Sequence, residues 1–157
     1  MSTLFLTCGL PASGKTTVAK TLEREHAAVR LTADEWLQRI HPDLSSAQLD
    51  QLRPGVEHLQ EELAGRLLSL GVNVILDWGL WAREERDHFR ALARRLGAKV
   101  VLLVTEPDLE KIRQRIADRN AAFVPGDFQI AEADLERALR FWQSPTSDEL
   151  ALFDPVA

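Results

Sequence analysis

At 157 residues, 45% of them hydrophobic and 27% charged, the chain has the size and make-up of one globular domain with a core of its own. Its net charge of -5 and pI of about 5.4 argue against a nucleic-acid partner, which leaves a basic footprint, while leaving room for a local basic groove. One cysteine, Cys8, excludes an internal disulfide; no apolar run is long enough to span a membrane and no leader-like segment opens the chain, so a cytoplasmic location is expected.

The first predicted element is a short apolar strand over Leu4–Cys8. It leads into Gly9-Leu10-Pro11-Ala12-Ser13-Gly14-Lys15-Thr16, with Thr17 after it, and then a helix to about His26 with Val18, Ala19 and Leu22 on one face. The string fits G-x-x-x-x-G-K-[ST], and strand, glycine-rich loop and helix is the context its chemistry requires. The glycines let successive N–H groups turn inward around phosphate oxygens, and the helix start adds its positive end. Lys15 is expected to reach the β- and γ-phosphates, and Thr16 to offer its hydroxyl to magnesium.

A second strand is read over Ala28–Thr32. Thr32 and Glu35 fit a capping box that opens a helix to about His41 and leaves Asp34 free in its first turn. Residues 42–53 are polar, with Ser45-Ser46 read as the cap of a short helix, and are expected to form a flap on the substrate side. Pro54-Gly55 is read as the opening of a longer helix ended by Gly71. A third strand, Asn73–Leu76, ends at Asp77. A helix closed by Gly97 follows. Lys99–Val104 is read as a fourth strand buried on both faces, Pro107 to Asn120 as a helix, Ala122 to Gln129 as irregular, Ala131 to Trp142 as a last helix, and the tail from Gln143 as a loop. Alternating strands and helices predict a parallel sheet covered on both faces, with ligands at the strands' carboxyl ends. The glycine-rich loop, Asp34 and Asp77 all fall there.

Asp77 is read as a magnesium ligand opposite Thr16, in preference to a helix cap. Asp34 is read as the group that orients an attacking hydroxyl and takes its proton, with Glu35 as the fallback. Arg115 and Arg119, one turn apart, are expected to clamp the transferring phosphate. Arg83, Arg86, Arg90 and Arg94, interleaved with Glu84, Glu85 and Asp87, are read as a solvated helix face. Trp36, Trp78 and Trp81 fit either an aromatic acceptor pocket or the core. The four histidines show no metal-ligand spacing.

Across most of its length the sequence resembles small P-loop kinases, the group of AAA-type ATP-binding proteins that includes polynucleotide 5′-kinase domains, chloramphenicol phosphotransferase and zeta toxins. The resemblance rests on Gly9 to Thr17, on Leu31-Thr32-Ala33-Asp34, on Val74-Ile75-Leu76-Asp77 and on Arg115-Ile116-Ala117-Asp118-Arg119-Asn120. It implies a three-layer α/β/α P-loop fold whose parallel sheet has four or five strands in order 2-3-1-4(-5). It also implies a general base at Asp34, and phosphate-contacting arginines at Arg115 and Arg119 in a helix leading into a lid at about residues 115–130. Polynucleotide kinases of this type carry an arginine shortly after the catalytic aspartate; here that place is Leu37, with Arg39 the nearest basic residue. The expectation is an ATP- and Mg2+-dependent kinase of a small-molecule hydroxyl. A polynucleotide or nucleoside 5′-hydroxyl kinase and a non-catalytic ATP-binding switch are the alternatives.

Overall fold

The computed structural model describes residues 1–105, 107–122 and 129–156. Four parallel strands, β1 (Thr3–Cys8), β2 (Val29–Leu31), β3 (Val74–Leu76) and β4 (Lys99–Val104), lie in the order β2-β3-β1-β4. The seven helices of the described residues are α1 (Lys15–Glu25), α2 (Ala33–Ile40), α3 (Ser46–Ser69), α4 (Arg83–Arg95), α5 (Leu109–Ala121), α6 (Glu132–Phe141) and α7 (Ser147–Leu150). No fifth strand occurs among the described residues.

Strand alternation divides the core between two faces. Leu4, Leu6, Val74, Leu76 and Val100 point to one face, where Ala64 and Leu68 of α3 and Phe89 and Ala93 of α4 cover them. Phe5, Ile75 and Val101 point to the other, under Ala19 and Leu22 of α1. Leu10 of the glycine-rich loop packs with Ile112 and Ile116 of α5 and Leu135 and Ala138 of α6, which anchors that loop from below.

Several expectations need correction. Pro54-Gly55 does not open a helix. α3 begins at Ser46, where the Ser45 hydroxyl and the Gln48 side chain close a reciprocal capping box, and it runs 24 residues with Pro54 inside. The missing N–H costs about 3 kcal/mol in a helix interior. Here it is offset by burial on both sides of the proline, at Leu49 and at Gln60, Ala64 and Leu68. Residues 46–53 of the expected flap are therefore the first turns of α3. Thr32 precedes α2 but makes no side-chain cap. Its hydroxyl instead donates to Asp77 Oδ2 (3.4 Å), and both Glu35 oxygens accept from Arg30 Nη2 (3.0 and 3.1 Å), because the guanidinium is the stronger partner. β4 is an edge strand, so Leu102 and Leu103 are half-buried and Val104 is exposed. The tail is not only loop: α7 docks, and Asp154 takes up the β4 edge through Val100, donating from its N–H (2.8 Å) and accepting at Oδ2 (2.8 Å). Much of the irregular stretch and part of the expected lid fall on residues 123–128, outside the described residues.

The arginine stripe of α4 also reads differently in three dimensions. Arg86 is fully buried and forks onto Glu149 of α7 at 2.6 and 3.0 Å. Its remaining donors go to the carbonyls of Leu80, Trp81 and Gln143 (3.0, 3.0 and 2.9 Å). Arg83, Arg90 and Arg94 keep partial exposure and pair with Asp87 and Asp154, and Arg83 also lies 3.9 Å from Glu149 Oε2.

Candidate active site

The loop from Gly9 to Gly14 leaves the carboxyl end of β1 and is held from three sides. Gly9 N–H donates to the Gly79 carbonyl (2.9 Å), and the Trp81 indole donates to the Gly9 carbonyl (3.0 Å). The Ser13 and Thr105 hydroxyls share a hydrogen bond (2.6 Å), and Arg115 donates to the Ala12 carbonyl (3.3 Å). Gly14 sits at φ 96° in the left-handed region and precedes α1 with no side-chain cap. The first N–H groups of α1 thus stay available to an anion. A Cβ added at Gly9 would fall on Thr105 Oγ1 and Ser13 Oγ. Gly9→Ala should therefore push the loop from its seat and weaken ADP binding by at least about tenfold, measured by calorimetric titration. Undiminished affinity would mean the Ser13–Thr105 clasp plays no part in shaping the loop.

Lys15 Nζ donates to the Leu10 carbonyl (2.6 Å). Burial lowers its pKa to about 8, with Asp77 and Asp34 opposing the shift. A lysine poised this way gains its full charge when phosphate oxygens arrive. Beyond the loop lies a cavity of about 600 Å³. Pro11, Ala12, Lys15 and Thr16 form one wall, and Asp34, Asp77 and Arg119 also line it. The structure thus brings these predicted residues together. Gly9, Leu10, Ser13 and Gly14 shape the loop behind that wall, and Thr17 lies in the exposed first turn of α1. Arg115 is exposed and reaches the loop only through the Ala12 carbonyl.

Asp77 is buried, and its Oδ2 accepts from Arg30 (3.2 Å) and Thr32 (3.4 Å). Asp77 and Thr16 line the same cavity, and their oxygens are hard donors of the kind that suits magnesium. No group of three or more His, Cys, Asp or Glu side chains forms a metal cage among the described residues; magnesium sites of nucleotide enzymes commonly leave the other positions to phosphates and water.

Trp78 and Trp81 answer both of their sequence readings. Each packs against a core cluster and each lines the cavity. The Trp78 indole donates to Gln60 Oε1 (3.0 Å). Trp36 packs against the core and does not line the cavity. Cys8 is fully buried, and burial pushes its thiol up to about 11, with Arg86 pulling the other way. It is a protonated core residue at neutral pH.

Sequence reasoning missed Asp50, Arg53 and Glu57. They share one face of α3 at i, i+3 and i+7, but the reading of Pro54 as a helix start cut that face in two. Arg53 pairs with Asp34 Oδ1 (2.5 Å) and with Asp50 Oδ1 (3.0 Å), so a guanidinium reaches Asp34 from α3, while Leu37 is buried and Arg39 exposed on α2. Arg137 of α6 closes on Asp50 Oδ2 (3.1 Å). Burial raises the Glu57 carboxyl to about 7; Arg53 opposes the shift, and Glu85, Asp34 and Asp50 add to it.

A family model described as AAA domain matches residues 4–145. No curated protein matches the sequence at a significant level. Among solved structures, a putative kinase from Chloroflexus aurantiacus is similar with a TM-score of 0.71 at 20% identity, over 87% of this chain and 77% of that one. Chaetomium thermophilum Kti12 in complex with ADP-AlF3 gives 0.64 at 19% identity, over 91% and 81%. A chain of the Pnkp1/Rnl/Hen1 RNA repair complex gives 0.70 at 22%, over 98% of this chain and 46% of its own length. The similarity to all three is one of fold.

Proposed function

The chain belongs to the AAA domain family, and we propose that within it this protein is an ATP- and magnesium-dependent kinase that phosphorylates a hydroxyl of a small molecule. The observation that carries this is one shared cavity: Lys15 of the phosphate loop and Asp34 in the first turn of α2 both open into it. A phosphate donor on the loop and a hydroxyl beside Asp34 would face one another there.

In this reading the loop N–H groups and Lys15 bind the β- and γ-phosphates. Thr16 and Asp77 would hold Mg2+, which neutralises phosphate charge when bound. The acceptor oxygen forms a bond to the γ-phosphorus as the bond to the bridging oxygen of ADP breaks, and the hydroxyl proton passes late to Asp34. Arg53 orients Asp34 through their ion pair. Arg119, on the cavity wall, is placed to spread charge on the transferring group, and Arg115 steadies the loop that holds it. Neighbours of this fold include a putative kinase and a protein solved with ADP-AlF3, which supports nucleotide chemistry on the loop.

ADP formation from Mg-ATP, measured against a panel of nucleosides, sugars, phenicol and aminoglycoside antibiotics and a 5′-hydroxyl oligonucleotide, tests the reading. Strong stimulation by one small molecule is the expected result. Lys15→Ala should abolish it together with nucleotide binding. A second reading, a polynucleotide 5′-kinase, draws on the guanidinium of Arg53 beside Asp34 and on the RNA repair neighbour. It predicts stimulation by the oligonucleotide alone, falling steeply with salt. Tight ATP binding with no stimulated turnover by any of these would point to a nucleotide switch instead.

A further inference from the structure

The lining of the cavity is acidic on balance. Asp34, Asp50, Glu57, Glu85 and Asp134 line it with Glu35 and Asp77, against Arg53, Arg137, Lys15, Lys20 and Arg119. Arg53 and Arg137 are already committed. Arg53 pairs with Asp34 and Asp50, and Arg137 with Asp50 and, more loosely, Asp134 (3.9 Å). Glu85 spends Oε2 on the Ala82 N–H (2.9 Å). Glu57 remains: one turn beyond Arg53 on the same face of α3, it lines the cavity, and no described residue pairs with its carboxylate. Burial and the neighbouring carboxylates disfavour a charged Glu57, with only Arg53 opposing, and a bound cation would favour its charged form. Bound nucleotide adds further negative charge to the opposite wall. On the Arg53 face of α3 a cationic acceptor would meet Glu57 as its charge partner, which a neutral acceptor could not use.

We infer that the acceptor is a hydroxylated molecule carrying a protonated amine, of the amino sugar or aminoglycoside class, and that Glu57 is the residue that selects it. The inference rests on the kinase reading for the place of the acceptor, and on the cavity for its charge. Trp78 and Trp81, which also line the cavity, are the residue type that packs against the apolar face of a sugar ring. The Glu57 carboxyl, raised to about 7 by burial, with Arg53 opposing and Glu85, Asp34 and Asp50 adding, gives the binding a pH signature. Below that pH Glu57 is largely neutral and attracts an amine weakly. As pH rises through it the carboxylate forms and affinity grows, while the amine keeps its proton.

The test is equilibrium binding by calorimetry, with ADP and magnesium present. Glucosamine and kanamycin are the amine probes; glucose, N-acetylglucosamine, fully N-acetylated kanamycin and gluconate are the controls. At least one amine probe should bind about tenfold or more tighter than its N-acetylated form. That preference should grow from pH 6 to pH 7.5 and be lost, with its pH dependence, in Glu57→Gln. ADP affinity of the variant should match the parent, and its thermal unfolding at pH 7.5 should lie at or above the parent's, since glutamine removes a carboxyl that burial keeps from ionising. The inference is overturned if neither amine binds, if the neutral or anionic controls bind as tightly, or if the preference survives Glu57→Gln. ADP formation read in parallel separates the two proposals. Amine binding that never yields phosphorylated product sinks the kinase reading and keeps the amine site; transfer to neutral acceptors alone keeps the kinase and sinks the amine site.

Discussion

Asp34→Asn is expected to lower acceptor-dependent turnover by about 10²-fold or more while leaving nucleotide affinity within about twofold. A positioned general base contributes roughly 10² to 10⁴ in rate, and asparagine keeps the shape of the side chain while losing the ability to take the acceptor's proton. Asp34 lies across the cavity from the phosphate loop and touches the protein chiefly through Arg53. The substitution therefore removes chemistry and one ion pair, not a core contact, and Arg53 keeps Asp50 as its partner. Single-turnover transfer rates and ADP titrations on the same preparation check both halves. A fall in kcat with little change in KM marks an interaction made in the transition state. A nucleotide switch would barely register the change, and a fall in ADP affinity matching the fall in rate would remove Asp34 from the acceptor side.

Arg86→Ala is expected to cost about 3–5 kcal/mol of stability, the range for breaking a buried ion pair from one side. For a chain of this length that corresponds to a drop in Tm of about 10 °C or more. The loss is large because Glu149, 1% exposed, would be left as a buried carboxylate without its guanidinium, and the carbonyls of Leu80, Trp81 and Gln143 would lose their donor together. Leu80 holds φ 46°, a strained angle for leucine, and Arg86 bonds its carbonyl. The next residue, Trp81, bonds the phosphate loop at Gly9. Loss of Arg86 should therefore also loosen that loop and weaken ADP binding. Replacing both partners, as in Arg86→Met with Glu149→Leu, should restore much of the stability, since paired apolar side chains leave no charge stranded. Thermal and urea unfolding of the single and double variants decides the matter. A single variant as stable as the parent would show that the pair contributes nothing net.

Much of the fold could be read along the chain because its signals are local. The strand, the glycines at positions 9 and 14, Lys15 and the helix start are contiguous, and their backbone geometry specifies an anion cradle whatever surrounds it. Strands separated by helices admit few parallel arrangements once crossovers are right-handed, and the order β2-β3-β1-β4 is among them. The positions of Asp34 and Asp77 just past strand ends brought them to the loop's edge for the same reason.

Charge pairing and burial were settled at longer range. Whether Pro54 starts a helix or sits inside one depends on tertiary burial of Leu49 and Gln60 on either side of it, not on the proline's own preference, and that decision placed Arg53 and Glu57 in the cavity. Arg86 has the same local spacing as its exposed neighbours; only Glu149, 63 residues later, makes its burial tolerable. Thr32 and Glu35 fit a helix cap by spacing but are drawn off by Arg30 and Asp77. Local backbone rules named the phosphate site, because its groups are neighbours in the chain. The Asp34 side of the cavity took its character from ion pairs between α2, α3 and α6, whose energies exist only once low-dielectric surroundings and distant partners are assembled.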